Sequence, residues 1–139
     1  MIVVDTSVLA YLLLPGPRTE QAEVLLLQQP QWAAPPLWRS EWRNMLTSYL
    51  RRDLLKLPAA IALMQQAEAL LAAHDEPVAS EQVLHLATSS GCSAYDCEFV
   101  AAAQQLGVPL VTEDRAILTA FPGLARSLDP FSDGSRSGS

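Results

Sequence analysis

The sequence contains little of several residue types, and each shortage excludes a class of protein. Only two cysteines occur, Cys92 and Cys97. They are too few for a structural zinc site or a disulfide framework, so we expect both to be reduced and partly buried. No apolar run approaches the roughly 20 residues of a membrane-spanning helix. The apolar N-terminus has no preceding basic residue and contains Asp5, unlike a secretory signal. We therefore expect a soluble, cytoplasmic protein.

Charged residues are also scarce. Asp, Glu, Lys and Arg make up 17% of the chain, below the roughly 25% usual for soluble domains, which indicates that a partner covers part of the surface. The formal net charge is −6, which at first argues against a nucleic-acid-binding protein. Five of the nine basic residues nevertheless lie between positions 39 and 56, against two acids. That segment is a candidate for contacts with phosphates.

The residues that are present predict one α/β domain. Half of the 139 residues are hydrophobic, enough for a single core without disulfides. Short apolar runs predict strands at 2–4, 32–34, 77–78, 108–111 and 125–128. Between them, helical patterns cover 6–13, 19–28, 37–52, 58–73, 80–89, 94–106 and 112–121. This alternation predicts a three-layer α/β/α sandwich with a small, mostly parallel sheet of four or five strands. We expect this domain to span 1–131, and 132–139 to be a disordered tail or a linker scar.

Four acids are notable for their positions. Asp5 and Asp114 each follow a predicted strand, and ligands of open α/β sheets bind at the carboxyl ends of strands. Asp96 begins an apolar stripe at helical spacing, and Glu41 lies on a mixed to apolar helix face. Such acids cap helices, pair with arginine or bind a metal. Because basic residues are few, a divalent cation with oxygen ligands, suited to phosphodiester hydrolysis, is the simpler interpretation.

The segments that carry these acids resemble the motifs of PIN-domain nucleases. In order, they are IVVDTS at 2–7, LWRSE at 37–41, SAYDCEFVAAA at 93–103 and LVTEDR at 110–115. The third match is the most specific, and the resemblance covers roughly residues 1–128. Within the family, the chain is most similar to the single-domain prokaryotic toxins of the VapC type. The resemblance therefore implies a PIN-like fold and a type II toxin–antitoxin pair.

The resemblance also implies an activity, a cofactor and partners. Asp5, Glu41, Asp96 and Asp114 would be the catalytic residues and hold Mg²⁺ or Mn²⁺. The protein would be an endoribonuclease that cleaves RNA with metal-activated water. It would form a homodimer, and a VapB-type antitoxin would inhibit it by laying a tail over a groove near the predicted helices 6–13, 19–28 and 37–52.

Other residues near the motifs have two interpretations. The hydroxyls of Thr6, Ser7 and Thr112 would hydrogen-bond carboxylates, metal-bound water or phosphate, or else cap helices. Arginines next to the motifs would contact RNA phosphates, or else lie on a solvated face or pair with acids; they are Arg39, Arg43 and Arg115. We expect the neighbouring Trp38 and Trp42 to pack in the core or an interface rather than to stack on bases.

Three other functions are alternatives to a metal-dependent nuclease, and the sequence disfavours two of them. A non-catalytic PIN-fold module would bind a protein or RNA without cleaving it. A phosphotransfer protein is disfavoured, because Ser7 replaces the second acid of an Asp-x-Asp motif and the single lysine, Lys56, lies on a predicted helix. A ribonuclease that uses two histidines is disfavoured too, since we interpret His74 and His85 as structural or surface residues.

Overall fold

The computed structural model describes residues 1–71 and 75–129, and within these it has seven helices and four strands. The strands are β1 (Ile2–Val4), β2 (Trp32–Ala33), β3 (Leu110–Val111) and β4 (Ala125–Arg126). The helices are α1 (Thr6–Leu13), α2 (Thr19–Gln28), α3 (Leu37–Arg51), α4 (Leu57–Leu71), α5 (Ser80–Ser90), α6 (Ala94–Leu106) and α7 (Arg115–Ala120). The predicted α/β/α architecture with a small parallel sheet is confirmed.

The four strands form one sheet in the order β2-β1-β3-β4, and all three pairings are parallel. Val3 pairs with Ala33 on one side and with Leu110 on the other. Every residue of β1, β2 and β3 is buried, as expected for a parallel sheet with helices on its faces. Because the strands are parallel, Asp5 after β1 and the residues after β3 lie at the same edge of the sheet.

The tryptophans and cysteines that were expected to be buried are buried in the structure. The exposed fractions of Trp38 and Trp42 are 1% and 0%, so neither ring is available to stack on a base. Cys92 and Cys97 are free and buried. On α6, the alanines at 101–103 are fully buried, and such small side chains let a helix lie close to a sheet. In the described part of the chain, no helix combines the length and apolar character needed to cross a membrane.

Two predicted elements differ most from the structure, and the bounds of several others differ by one or two residues. The strand predicted at 77–78 is wrong: Asp75 forms a single parallel bridge to Ala34, and the Glu76 N–H donates to the Ala34 carbonyl at 3.0 Å. Pro77 follows directly, and because proline has no N–H it cannot continue the ladder. The helix predicted from residue 112 begins only at Arg115, because Asp114 is its N-cap. His74, residues 72–73 of the fourth predicted helix and the predicted tail at 132–139 lie outside the described residues.

Side chains at helix starts correct the expected caps. Asp5, rather than Thr6 or Ser7, caps α1 by accepting a hydrogen bond from the Val8 N–H at 3.2 Å. Ser93 caps α6, and Asp114 caps α7. The N-cap of α5 is Ala79, which makes no side-chain hydrogen bond. Two of the capping residues are thus among the four predicted acids.

Candidate active site

A cavity of about 390 Å³ opens at the carboxyl ends of β1 and β3. All four predicted acids line it. Asp5 follows β1, Asp114 follows β3, Glu41 lies in the second turn of α3, and Asp96 lies in the first turn of α6. The remaining lining residues are polar or apolar side chains from the same elements and their neighbours: Thr6, Ser7, Tyr11, Asn44, Met45, Phe99, Glu113 and Ile117.

The buried hydroxyl of Thr112 connects the two strand ends. It donates a hydrogen bond to Asp5 Oδ2, and it accepts one from the Asp114 N–H at 3.0 Å. Thr112 is fully buried, so water does not compete for these bonds. Asp5 is therefore held on both oxygens, by Thr112 on one and by the N-terminus of α1 on the other. Thr112, whose hydroxyl was expected beside the proposed site, therefore lies just behind the cavity and holds the Asp5 carboxylate in place.

Asp5 lies in an environment that disfavours its negative charge. Its pKa is raised from 3.8 to about 6, first by burial and then by the nearby charges of Glu41 and Asp114, while the hydrogen bonds from Thr112 and Val8 oppose the increase. A buried carboxylate among like charges gains most from a cation. The electrostatics of Asp5 thus favour a bound positive ion.

Glu41 and Asp96 approach the cavity from two helices. Glu41 Oε1 accepts a hydrogen bond of 2.6 Å from Thr6 Oγ1, a second hydroxyl that orients a carboxylate. The pKa of Asp96 is raised by burial and by the charge of Asp114, against the lowering effect of the Ser93 hydroxyl. Glu98 is half-buried and lines a different cavity. Its pKa is raised by burial and by the charge of Glu41.

Two arginines, Arg18 and Arg39, pair with acids other than these four. Arg18 pairs with Glu113 at 3.2 Å and with Asp129 at 2.9 Å. Arg39 pairs with Asp75 at 2.9 Å and lies over the ring of Trp38. Within residues 1–71 and 75–129, no basic side chain forms an ion pair with any of the four acids. Among the described residues, the charge of these four acids is therefore left without a protein counterion.

The donor set fits a hard divalent cation, although the side chains do not converge on one point. In the described part of the chain, no three Asp, Glu, His or Cys side chains are arranged as a ready-made metal site. Mg²⁺ commonly uses only one or two carboxylates and keeps several waters, so the oxygen donors around the cavity are sufficient without further convergence.

The three arginines expected to contact phosphates lie outside this cavity. Arg39 forms ion pairs with Glu68 and Asp75. Arg43 and Arg115 are exposed, and Arg115 lines a neighbouring cavity. The side chain of His85 is 80% exposed, and its Nε2 atom lies 3.8 Å from Glu81 Oε1, which agrees with the predicted surface role.

Sequence reasoning missed three polar residues of the cavity. Tyr11 lies one turn after Ser7, and Asn44 lies one turn after Glu41, so helical spacing from predicted residues indicated both. Glu113 gave no such indication. It accepts hydrogen bonds from Ser127 Oγ at 3.2 Å and from the Leu128 N–H, in addition to its pair with Arg18. Its carboxylate thus has a basic partner, whereas none of the four acids forms an ion pair with a described residue.

Comparison with known proteins identifies the family. The sequence profile of the PIN domain matches residues 2–121. The chain belongs to the PIN domain family. Ribonuclease VapC3 from Pyrobaculum aerophilum is 32% identical over 126 residues, which cover 88% of this chain and 96% of that protein.

Solved structures share the fold of this PIN-domain chain. The crystal structure of PAE2754 from Pyrobaculum aerophilum superposes with a TM-score of 0.74 at 21% identity, over 94% of this chain and 85% of the other. A toxin–antitoxin complex from Klebsiella pneumoniae gives a TM-score of 0.63 at 18% identity, over 92% of this chain and 98% of the other. The four motifs noted in the sequence all lie within the matched PIN region.

Proposed function

We propose that this PIN-domain protein is a Mg²⁺- or Mn²⁺-dependent endoribonuclease and the toxin of a VapC-type pair. The observation that carries the proposal is the set of four carboxylates around one cavity, none of which has a basic partner among the described residues. The relative that is 32% identical is named a VapC ribonuclease, which supports RNA as the substrate.

The proposal assigns three tasks to residues in and around the cavity: ion binding, positioning of the carboxylates, and contact with phosphate. Asp5, Glu41, Asp96 and Asp114 would hold the ion, and Thr112 and Thr6 would keep Asp5 and Glu41 in place. A bound Mg²⁺ or Mn²⁺ ion activates water and neutralises charge on the phosphoryl and leaving oxygens. The Ser7 hydroxyl lines the cavity and is a candidate donor to the substrate phosphate. Exposed Arg43 and Arg115 remain candidates for contacts with flanking phosphates.

The proposed partners are a cognate antitoxin and a second copy of the chain. The neighbour from Klebsiella pneumoniae is a toxin–antitoxin complex. Large apolar side chains are exposed around the start of α4, where Leu54, Leu57 and Ile61 are 59%, 61% and 50% exposed. Such clustered exposure is typical of a surface that a partner covers. We further propose that the protein acts in the cytoplasm, and that residues 1–131 form its single domain.

Cleavage assays with matched variants test the nuclease proposal. Purified protein without antitoxin is incubated with structured and unstructured RNAs in Mg²⁺ or Mn²⁺, with and without EDTA. Asp96→Asn removes one ligand charge and should lower kcat/KM by about 100-fold or more. Asp53→Asn is the control, because Asp53 lies outside the cavity with φ of 59°, a conformation that asparagine tolerates. It should change kcat/KM by less than about twofold.

Two results would contradict this proposal in different ways. Cleavage that persists in EDTA and in Asp96→Asn would exclude a catalytic role for the four-acid cavity. Metal and RNA binding without cleavage would instead identify a non-catalytic PIN-fold module.

A further inference from the structure

A second cavity, of about 450 Å³, adjoins the acidic one. One wall is formed by Ser90, Gly91 and Cys92, which directly precede α6, and the other by residues of α7: Arg115, Ala116, Thr119 and Ala120. The first turn of α6 carries Asp96, and Asp114 is the residue before α7. The two cavities are therefore lined by neighbouring residues around the starts of the same two helices.

The two cavities differ sharply in charge. Five carboxylates line the acidic cavity, whereas the described residues that line the second include no acid and a single cation, Arg115. The Arg115 side chain is exposed and forms no ion pair with the residues that the structure describes. Arg18 and Arg39, by contrast, are each held by two carboxylates. Arg115 is thus an uncommitted cation next to the proposed site of cleavage.

We propose that the second cavity binds the nucleotide adjacent to the cleaved phosphodiester of a single-stranded RNA, with Arg115 contacting its phosphate. This inference rests on the proposed nuclease function. An arginine provides the charge-assisted hydrogen bonds that a phosphate accepts, and such contacts set the register of a nucleic acid on a protein. A volume of about 450 Å³ lies within the range of small-molecule sites.

The rest of the lining suits a ribose and a base rather than a second phosphate. Ala116, Ala120 and the buried Cys92 offer apolar contact, and the exposed Thr119 offers a hydroxyl. Ser90 Oγ accepts a hydrogen bond from the Cys92 N–H at 3.0 Å and lies 3.8 Å from Cys97 Sγ. Arg115 is therefore the group in this cavity that selects for a negatively charged ligand.

Equilibrium binding tests the inference independently of catalysis. The Asp96→Asn protein, with Mg²⁺, is titrated into a fluorescently labelled single-stranded oligoribonucleotide, and anisotropy gives Kd at several salt concentrations. Adding Arg115→Ala should raise Kd about tenfold at low salt. It should also lower the slope of log Kd against log salt by about 0.7, the value of one lost phosphate contact on a single strand. Arg115→Lys should retain most of the slope.

Two further variants separate the cavity from a general effect of charge. Ala116→Trp fills the cavity from an exposed position of α7 and should raise Kd while leaving the salt slope unchanged. Arg126→Ala removes an exposed arginine that lines neither cavity and should alter Kd by less than about twofold.

The outcomes separate this inference from the proposed function. An unchanged Kd and salt slope in Arg115→Ala, or no binding of single-stranded RNA at all, would overturn the inference. RNA that binds through Arg115 but is not cleaved by the parent protein would support the inference and contradict the nuclease proposal. Cleavage by the parent protein with no effect of Arg115→Ala would do the reverse.

Discussion

Single residues of this protein combine a structural role with a proposed chemical one. Asp5 caps α1 and lines the acidic cavity, and Asp114 caps α7 and lines the same cavity. A helix-capping interpretation and a metal-binding interpretation therefore do not compete for these acids. The cap fixes one carboxylate oxygen and leaves the other to be oriented, which for Asp5 is done by Thr112.

The raised pKa of Asp5 predicts how stability changes with pH in the metal-free protein. In the folded state this pKa is about 6, against an ordinary 3.8, so folding favours the protonated form. The stabilisation that Asp5 contributes to the folded state is fully present below pH 4 and is lost as pH rises through about 6. The loss is about 2 to 3 kcal/mol. Asp5→Asn removes the charge, so it should be more stable than the parent at pH 7 in EDTA and nearly equal at pH 4.

Urea denaturation of both proteins at pH 4 and pH 7 measures this difference. Comparison within each pH removes the contributions of the other carboxylates, which the two proteins share. Saturating Mg²⁺ at pH 7 should stabilise the parent more than Asp5→Asn, because ligand binding to the folded state adds to stability. A stability difference that is the same at both pH values would show that Asp5 is not destabilised by burial.

At the scale of elements, order and type were predictable from the sequence, whereas short extended segments were not. Helix α6 has the predicted bounds, because Ser93 caps its start and Gly107 ends it. The predicted strand at 77–78 failed because a two-residue apolar run carries almost no periodic information. The four acids were predicted because strand ends and helical spacing determine their positions. The engagement of Arg39 with Asp75 depends on a contact across 36 positions, which no local pattern contains.

The turn from α6 into β3 depends on the backbone of Gly107. Its φ is +68°, and a Cβ atom at this position would meet no heavy atom within 4 Å. Gly107→Ala should therefore cost about 1 kcal/mol through backbone strain alone. Gly123→Ala is the matched control, because Gly123 has equal space without a positive φ. Urea midpoints compare the two variants, and an equal loss in both would contradict the assignment of the cost to φ.

At the scale of the whole molecule, the distribution of charge matters more than its sum. A net charge of −6 at first argued against nucleic acid as a partner. The structure concentrates five carboxylates around one cavity; Arg18 pairs with Glu113, and the proposed divalent cation would offset the other four. Other acids neutralise arginines: Glu68 and Asp75 face Arg39. The negative net charge thus arises largely from the acidic cavity, and it does not describe the charge of the surface around that cavity.

Arg18 and Glu113 join three parts of the chain that are far apart in sequence. Arg18 precedes α2, Glu113 follows β3, and Asp129 and the Leu128 N–H belong to the last described segment. Both paired side chains are mostly shielded from water, with 28% and 19% exposed. The carboxylate of Glu113 lines the acidic cavity, yet its hydrogen bonds make it a structural residue.

Glu113→Gln and Asp114→Asn should therefore have opposite effects, although they alter neighbouring carboxylates. Glu113→Gln removes the charge that Arg18 and the Leu128 N–H share, and should lower the free energy of unfolding by about 1 kcal/mol. Its kcat/KM on RNA should stay within about threefold of the parent.

Asp114→Asn keeps an oxygen for the Ile117 cap and should lose little stability but at least about tenfold in kcat/KM. Thermal unfolding and cleavage rates, measured on the same preparations, compare the stability and the activity of each variant with those of the parent. A large loss of cleavage in Glu113→Gln without a loss of stability would make Glu113 a fifth functional acid.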